Sequence, residues 1–395
     1  MSKLTKRSAE LNRAVKKEPA DKLLKGKVSK TAVRVVDTLK QAGFEAYIVG
    51  GAVRDLVLGR APKDYDLATD ATPEEVKQVF GRRARIIGRR FRLAHVYVGR
   101  SVYEVSTFRR EPTMEERKGR PGDNGLIVWR DNVYGTLEDD ACRRDFTVNA
   151  LYYDPTDRDR GIIDYCGGFN DLQQGVVRTI GDPYTRLAED PVRILRACKL
   201  VGQYGFKPSK KLARQLAAGA ESICMSSMAR LLEEIYKILK RPWSGPIFAA
   251  CQEVALLQYL LPDLAAEWDH ATGELARDML DVRDRRLAAG DLYPSRVTGM
   301  AMIMVPFLQH DLGHDGPLWR NFNGIDRILA DRVRDFYGLY KIPRYSRAKI
   351  RDVLLLQSAF LQPRMRRRLT AHQEYSRARD VFEVYVSATG LKVST

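Results

Sequence analysis

Several features that would place this chain among membrane, secreted or disulfide-stabilised proteins are missing from its 395 residues. No apolar run approaches the roughly 18 to 20 residues that a membrane-spanning helix needs, and residues 299–308 (GMAMIMVPFL) instead predict a buried core segment. The N-terminus has no apolar stretch of the kind found in secretory signals. The five cysteines are scattered and form no C-x-x-C pair, which fits a reducing compartment. These absences predict a cytoplasmic protein without a membrane span.

Positive charge is present in large excess and is unevenly distributed. The formal net charge is +17, with ten Lys/Arg against three acids in residues 1–30 and nine against one in residues 341–368. Such clusters are typical of proteins that bind polyanions. Solvated helix faces are the alternative for one cluster alone. An anionic membrane surface is less favoured, because no amphipathic stretch carries aromatic anchors. We therefore expect nucleic acid or its precursors as partners.

The pattern of apolar residues changes along the chain. Short apolar strands alternate with helical segments from residue 31 to about 153, whereas the chain reads as successive helices from about 186 onward. Residues 110–130 combine glycines, prolines and charges in a long loop, and loops of this length are usually functional or mobile. The fold class predicted is α+β, with a small mixed sheet first and an all-α remainder.

A glycine pair follows the first strong strand signal. Residues 46–49 (AYIV) predict a strand, and Gly50 and Gly51 allow the backbone to turn and to approach a ligand closely. The next residues predict a helix, whose N-terminal N–H groups favour a phosphate. Arg54 falls in the first turn of this helix, where a guanidinium can hold a phosphate oxygen. This pattern indicates a nucleotide-binding turn.

Two aspartates follow at a spacing of two. Residues 63–69 (KDYDLAT) predict a strand, on which Asp64 and Asp66 would point to the same face. Two carboxylates at that distance repel one another unless a divalent cation neutralises them. Mg²⁺, bound by a few carboxylates together with substrate phosphates, is the expected ion. Two such ions could activate a hydroxyl and stabilise a leaving pyrophosphate.

Taken in order, these motifs resemble the signature of the class II nucleotidyltransferases, the superfamily of bacterial poly(A) polymerases and CCA-adding tRNA nucleotidyltransferases. Four further stretches resemble motifs of that family in the family's order: residues 138–154 (EDDACRRDFTVNALYYD), 164–178 (DYCGGFNDLQQGVVR), 189–197 (EDPVRILRA) and 228–239 (MARLLEEIYKIL). The resemblance implies a basic arm (1–30), a catalytic nucleotidyltransferase head (31–153), a helical neck that recognises the base (154–240) and a helical, RNA-binding body and tail (241–395).

The resemblance also implies roles for individual residues. Asp64 and Asp66 would be catalytic and bind the two Mg²⁺ ions. The nucleotide-binding residues implied are Gly50, Gly51, Arg54, Arg144, Asp145, Asn149, Asp190, Arg193 and Arg196. A third carboxylate is expected from Glu138 or Glu104, and the resemblance favours Glu138.

Local structure offers an alternative for some of these residues. Asp190 before Pro191 is also a favourable helix start, with the aspartate as N-cap. In the functional alternative, an acceptor at Asp190 and donors at Arg193 and Arg196 would imitate the edge of a base pair. Tyr152 and Tyr153 could stack on a base, although buried core tyrosines are commoner.

A histidine-rich stretch raises the question of a second metal site. His310 and His314 lie four residues apart, with Asp311 and Asp315 beside them. A metal-dependent phosphohydrolase domain gathers its ligands from several separated helices, and this chain has only five histidines. We therefore do not favour a metal site here.

The resemblance is greater to the poly(A) polymerase branch. It implies a template-independent polynucleotide adenylyltransferase that adds AMP from ATP to RNA 3′ ends, depends on Mg²⁺ and releases pyrophosphate. Arg364, Arg366, Arg367 and Arg368 are expected to contact RNA phosphates. The alternatives are a CCA-adding tRNA nucleotidyltransferase and, in another class, a non-catalytic RNA-binding protein on the same fold. The intact aspartate pair argues against the latter.

Overall fold

The chain divides into two compact units, residues 1–186 and 187–395, in a computed structural model. The structure describes residues 16–18, 24, 28–88, 92–111, 133–157, 161–313, 318–319, 322–362 and 369–392. The four segments expected from the sequence, with their boundaries, stay a prediction.

The first unit is built on a mixed sheet. Its strands are β1 (Lys16–Glu18), β2 (Ala46–Val49), β3 (Asp66–Thr69), β4 (Ala84–Ile87), β5 (Leu93–Val98), β6 (Ser101–Thr107), β7 (Leu151–Tyr153), β8 (Ile162–Asp164) and the short β9 (Val176–Val177). Within the described residues, β1 to β8 form one sheet in the order β1-β8-β7-β2-β3-β6-β5-β4. All neighbouring pairs are antiparallel except β3 and β6, which run parallel. This confirms the predicted mixed sheet.

Six helices of the described residues accompany these strands: α1 (Lys30–Gln41), α2 (Gly51–Val57), α3 (Pro73–Phe80), α4 (Leu137–Cys142), α5 (Gly168–Gln174) and α6 (Pro183–Glu189), the last crossing into the second unit. Local sequence explains several of their ends. Thr72 and Glu75 form a capping box around Pro73 at the start of α3, and Thr136 and Asp139 do the same for α4. These caps fix where each helix begins.

The core of the first unit lies beneath the glycine turn. β2 is buried along its whole length, so its side chains pack on both faces of the sheet. One apolar cluster joins strands and helix α4, with the members Tyr47, Val49, Ala68, Phe108, Leu137, Ala141, Tyr152 and Ile163. Because Tyr152 is wholly buried here, it is a core tyrosine and not a stacking platform for a base.

Helix α5 packs tightly against the 3₁₀ turn Thr147–Asn149. Three backbone N–H groups at its start donate to the Asp164 carboxylate. A Cβ added at Gly168 would lie 2.0 Å from the carbonyl oxygen of Thr147, whereas one added at the neighbouring Gly167 would meet nothing within 4 Å. Glycine at 168 therefore sets how closely α5 approaches the turn.

This difference between adjacent glycines gives a matched test. We expect Gly168→Ala to lower the free energy of unfolding by about 3 kcal/mol, because a backbone clash forces the helix away from the turn. Gly167→Ala should cost about 1 to 2 kcal/mol, since only the left-handed conformation (φ +76°) is strained. Urea unfolding measures both values. Equal losses in the two variants would contradict the close-approach explanation.

In its described residues the second unit is helical, apart from a two-residue strand, β10 (Lys207–Pro208). Its described helices are α7 (Val192–Tyr204), α8 (Lys210–Ala218), α9 (Met228–Leu239), α10 (Ser244–Glu253), α11 (Leu257–Leu260), α12 (Pro262–Ala266), α13 (Ala271–Ala289), α14 (Arg296–Leu312), α15 (Ile325–Phe336), α16 (Arg344–Leu355) and α17 (Tyr375–Thr389). Short 3₁₀ segments occur at Ala220–Met225 and Ser358–Leu361. The predicted α+β class with an all-α remainder is confirmed.

Helix α14 is the apolar centre of the second unit. Every residue from Thr298 to Pro306 is buried, which confirms the core assignment of this stretch. None of the helices in the described parts of the chain is both long enough and apolar enough to cross a membrane.

Candidate active site

The glycine turn connects β2 to α2 as the sequence predicted. Gly50 adopts φ +70°, and its N–H donates to the Leu151 carbonyl at 3.0 Å. A Cβ at Gly50 would lie 3.3 Å from Nη1 of Arg144, and one at Gly51 would lie 3.3 Å from Nη2 of Arg54. Two guanidinium groups therefore lie directly against the turn. Any larger residue at position 50 would press on Arg144.

Arg54 is held in place by neighbouring side chains. Its Nη1 donates to Oδ1 of Asn149 at 2.6 Å, and Nε and Nη2 donate to Oδ1 of Asp55 at 3.1 and 2.9 Å. Asn149 in turn donates from Nδ2 to Oδ1 of buried Asp145 at 3.2 Å. The side chain of Arg54 is thus oriented by Asn149, the last residue of the 3₁₀ turn Thr147–Asn149.

Arg144 is fixed by a buried carboxylate and a buried phenol. Its Nη2 donates to Oδ2 of Asp140 at 2.9 Å, and its Nε donates to the Tyr152 hydroxyl at 2.9 Å. Tyr152 also donates to Oδ2 of Asp140 at 2.7 Å, and the guanidinium carbon lies 5.2 Å from the Tyr152 ring centroid. These bonds aim Arg144 toward the glycine turn.

Burial and charge oppose each other at this arginine. Burial disfavours the charged guanidinium, but Tyr152 and Asp140 more than offset it and raise the pKa of Arg144. Burial likewise raises the pKa of the Tyr152 phenol well above its usual value, so the hydroxyl keeps its proton. A cation is therefore maintained beside a turn suited to phosphate.

The six predicted nucleotide-binding residues of the first unit thus converge on one place. They are Gly50, Gly51, Arg54, Arg144, Asp145 and Asn149, and they are joined by the contacts given above. Sequence reasoning missed Asp140, which also accepts the backbone N–H of Arg109 at 3.2 Å. It also missed Arg186, which donates to the Arg144 carbonyl at 2.9 Å. The sequence signals were weak: Asp140 is one of several acids in the recognised stretch 138–154, and Arg186 lies shortly before the stretch 189–197.

The predicted strand geometry of the two aspartates is wrong in one respect. β3 begins at Asp66, so Asp64 lies in the bend before the strand and not two positions along it. The same-face argument from strand spacing therefore does not apply to this pair. Both side chains are exposed. Because Asp66 pairs with Val49, the residue before Gly50, it lies at the same sheet edge as the glycine turn.

The parallel pairing brings another carboxylate beside Asp66. Glu104 of β6 is its partner in register, and the exposed Glu104 side chain places Oε1 3.6 Å from Nε2 of His95. Paired residues on neighbouring strands project from the same face. Glu138, the acid favoured from the sequence, is half-buried on α4, and its role stays a prediction.

The donor chemistry here fits Mg²⁺. Among the described residues, no group of three or more His, Cys, Asp or Glu side chains is gathered closely enough to bind a metal ion by itself. Mg²⁺ does not require such a group, because it keeps several waters and is usually held by one or two carboxylates and the substrate's phosphates. Asp64, Asp66 and Glu104 carry exposed carboxylates, which are oxygen donors of this kind, and Asp66 lies at the same sheet edge as the glycine turn.

The residues predicted to select the base lie in the second unit and have protein partners. Both oxygens of Asp190 accept hydrogen bonds from Arg230 at 2.9 and 2.8 Å, and Oδ1 also accepts the Val192 N–H. The helix itself begins at Val192 with Pro191 as N-cap. Arg193 donates to Glu189 at 3.1 Å, and Arg196 is exposed. Their role in base selection stays a prediction.

Other predicted features fall partly outside the described residues. Arg364, Arg366, Arg367 and Arg368 lie there, as do residues 112–130 of the long loop.

In the histidine stretch, His310 and Arg332 both contact Asp311, at 3.2 and 2.9 Å. Because Arg332 would compete with a cation for the Asp311 carboxylate, we assign no metal site to the described part of this stretch.

Comparison with known proteins shows which family has this fold and site. The family described as "Poly A polymerase head domain" matches residues 46–178, and "Probable RNA and SrmB- binding site of polymerase A" matches residues 205–267. Poly(A) polymerase I of Haemophilus influenzae is 38% identical over 349 residues, covering 85% of this chain and 75% of that protein. The chain belongs to the poly(A) polymerase family of class II nucleotidyltransferases.

Enzymes of the related activity are also similar. A CCA-adding enzyme of Geobacillus sp. is 36% identical over 229 residues, which cover 58% of this chain and 54% of that protein. The structure of the Bacillus stearothermophilus CCA-adding enzyme in complex with CTP superimposes with a TM-score of 0.64 at 27% identity, over 91% of this chain and 78% of that one. In sequence, the Haemophilus influenzae poly(A) polymerase I is the more similar of the two relatives named, at 38% identity over 85% of this chain against 36% over 58%.

The Asp140 network predicts a graded loss of nucleotide binding. Tyr152→Phe keeps the ion pair between Arg144 and Asp140 but removes the hydroxyl that accepts a hydrogen bond from Nε of Arg144. We expect this change to lower the free energy of unfolding by about 1 kcal/mol and to reduce triphosphate affinity modestly. Asp140→Asn leaves the half-buried Arg144 guanidinium without its counter-charge and should weaken both quantities more. Calorimetric titration with ATP and urea unfolding measure them. Wild-type values for Asp140→Asn would show that this carboxylate does not position Arg144.

Proposed function

We propose that this chain is a template-independent polynucleotide adenylyltransferase, which adds AMP from ATP to RNA 3′ ends and releases pyrophosphate. The observation that carries the proposal is similarity to poly(A) polymerase I across 85% of the chain, together with convergence of the predicted nucleotide-binding residues of the head on the glycine turn. In this reaction the 3′-hydroxyl oxygen forms a bond to the α-phosphorus as the bond to the pyrophosphate oxygen breaks. The hydroxyl proton is lost to solvent.

The chain's own residues would bind and orient the triphosphate. Gly50 and Gly51 let the phosphates approach the backbone, and Arg54 and Arg144 donate to their oxygens. Asp145 and Asn149 keep these donors in place through the hydrogen bonds described above. Asp64 and Asp66 would hold Mg²⁺, and a third carboxylate would come from Glu138, as the resemblance implies, or from Glu104, which is in register with Asp66. When bound, Mg²⁺ supplies charge neutralisation for the phosphates and activation of the attacking hydroxyl.

Two further parts of the proposal concern partners and location. RNA 3′ ends would be bound partly through Arg364, Arg366, Arg367 and Arg368, which belong to the basic cluster of residues 341–368. A cytoplasmic location stays a prediction that rests on the cysteine pattern.

The metal assignment predicts loss of chemistry without loss of binding. Asp64→Ala or Asp66→Ala should lower AMP incorporation by about a thousandfold or more, since charge neutralisation is worth several kcal/mol. Folding and RNA binding should stay near wild type. Asp70→Asn, at the opposite end of β3, is the control and should retain activity. Incorporation of radiolabelled AMP into an A-ended oligonucleotide measures the effect, and normal activity in either alanine variant would refute the assignment.

The choice of nucleotide separates the two enzyme activities. We expect wild-type protein to use ATP in long runs on unstructured RNA and to incorporate CTP poorly. Addition of two C residues and one A to a trimmed tRNA, followed by arrest, would establish the CCA-adding alternative. No incorporation of any nucleotide would favour the non-catalytic RNA-binding alternative.

Arg193 offers a sharper version of this test. Arg193→Ala should reduce the preference for ATP over other nucleotides more than it reduces triphosphate affinity, because its donors would address the base. Glu189→Gln breaks the same ion pair but keeps the guanidinium, so it should preserve the preference. Identical behaviour of the two variants would mean that the ion pair, and not Arg193 itself, matters.

A further inference from the structure

A cavity of about 460 Å³ lies in the second unit, far along the chain from the predicted base-selecting residues. We call it the C-terminal pocket. It is formed by α13, the 3₁₀ segment Ser358–Leu361 and α17, and its lining residues are Arg286, Phe360, Tyr375, Arg379, Phe382, Glu383, Val386 and Ser387. Its volume is within the roughly 300 to 1,000 Å³ typical of small-ligand sites.

One wall of the C-terminal pocket consists of aromatic rings. Phe360 and Phe382 are stacked, with ring centroids 5.0 Å apart and an interplanar angle of 19°. Tyr375 lies 5.9 Å from Phe360, and its side chain is half-buried while the two phenylalanines are nearly enclosed. The phenylalanines form a rigid base for the wall, and Tyr375 presents a ring at its surface. A flat aromatic ligand is suited to such a wall.

The other wall carries charge. Glu383 accepts from Nη2 of Arg286 at 2.7 Å, and Nε of Arg379 lies 3.5 Å from the same carboxylate. Arg379 is half-exposed, and its other acidic neighbour, Asp380, is 3.9 Å away. Ion pairs this exposed contribute little to stability, so Arg379 can turn toward a stronger acceptor at small cost. A phosphate is such an acceptor.

An exposed aromatic side chain lies on α16, which is linked through Lys349 to the residue before Tyr375. Tyr345 of α16 is 71% exposed, and Nζ of Lys349 lies 4.3 Å from its ring centroid. Lys349 also contacts Glu374, the residue before Tyr375, at 3.4 Å. Rings and cations therefore continue from the pocket onto α16. Alternating stacking platforms and cations are what single-stranded nucleic acid binds.

We propose that the C-terminal pocket binds one base of the single-stranded RNA substrate, with the base against Tyr375 and an adjoining phosphate at Arg379. This rests on the proposed function in that it takes RNA as the substrate. The rings would stack on any base, so the site contributes affinity without selecting a nucleotide. A protein ligand is less favoured, because the pocket adjoins the basic cluster of a chain with net charge +17.

The test compares two matched substitutions on α17. Ser387 lines the pocket, whereas Thr389 does not, and each hydroxyl donates to the carbonyl four residues earlier, at 2.8 and 2.9 Å. Ser387→Trp fills the pocket from an exposed position, so the fold is retained. It should weaken binding of a labelled twelve-residue oligoadenylate by roughly tenfold. Thr389→Trp should bind like the wild type, as measured by fluorescence anisotropy.

An abasic strand of the same length identifies what the pocket holds. If a base enters, Ser387→Trp should leave affinity for the abasic strand unchanged. Equal weakening for both strands, or no weakening for oligoadenylate, would overturn the proposal. The second result is also the one expected if the pocket's ligand is a protein.

Arg379 is tested by salt dependence. Arg379→Gln should reduce the log–log slope of oligoadenylate binding against salt by about 0.7, the value for one phosphate contact on a single strand. Arg334→Gln removes one exposed charge from α15, which does not line the pocket, and is expected to leave the slope unchanged. If Arg379→Gln and the wild type have equal salt-dependence slopes, Arg379 does not contact an RNA phosphate.

These binding measurements do not depend on catalysis. They are repeated in the Asp66→Ala background, in which no transfer is expected. A wild-type protein that binds RNA through the pocket but transfers no nucleotide would refute the proposed function alone. A protein that adds AMP normally while Ser387→Trp binds oligoadenylate like wild type would refute the pocket alone.

Discussion

The carboxylate of Asp140 is the contact that most directly holds Arg144 beside the glycine turn. One buried side chain accepts hydrogen bonds from the Arg109 backbone, the Tyr152 hydroxyl and the Arg144 guanidinium. It thereby links helix α4, on which it lies, to Arg109 just after β6 and to Tyr152 on β7. Buried charges are stable only when they are paired and fully hydrogen-bonded, and this group meets both conditions. Without it, Arg144 would lose its counter-charge and would keep only its contacts with Tyr152 and the Asn149 carbonyl.

Much of this site could be predicted from the sequence, because its parts are local. The strand, the glycine pair and Arg54 lie within ten residues, and their order indicates a phosphate-binding turn. The mixed sheet and the helical remainder followed from apolar periodicity. Resemblance to a family supplied Arg144, Asp145 and Asn149, which the structure joins to that turn. The roles of all these residues remain proposals.

The parts that could not be predicted depend on distant pairing. The position of Glu104 beside Asp66 follows from the register of two parallel strands, which no local pattern encodes. β3 begins at Asp66 because its pairing with β2 ends there. The prediction that Asp64 and Asp66 lie two positions apart on one strand was therefore wrong. Asp140 looked like one of several acids on a short helix. Its burial becomes evident only when β7 places Tyr152 against it.

The parallel pairing of β3 and β6 also has a consequence for folding. Asp66 and Glu104 are about 40 residues apart in sequence, so they become neighbours only after a long-range contact has closed. Contacts of this kind carry a large loop-closure entropy and form slowly. The repulsion between these acids is therefore absent from the early, locally structured chain and arises only as the sheet is completed. A cation that binds both would stabilise only the completed sheet, so magnesium binding as proposed would make the folded population depend on magnesium concentration.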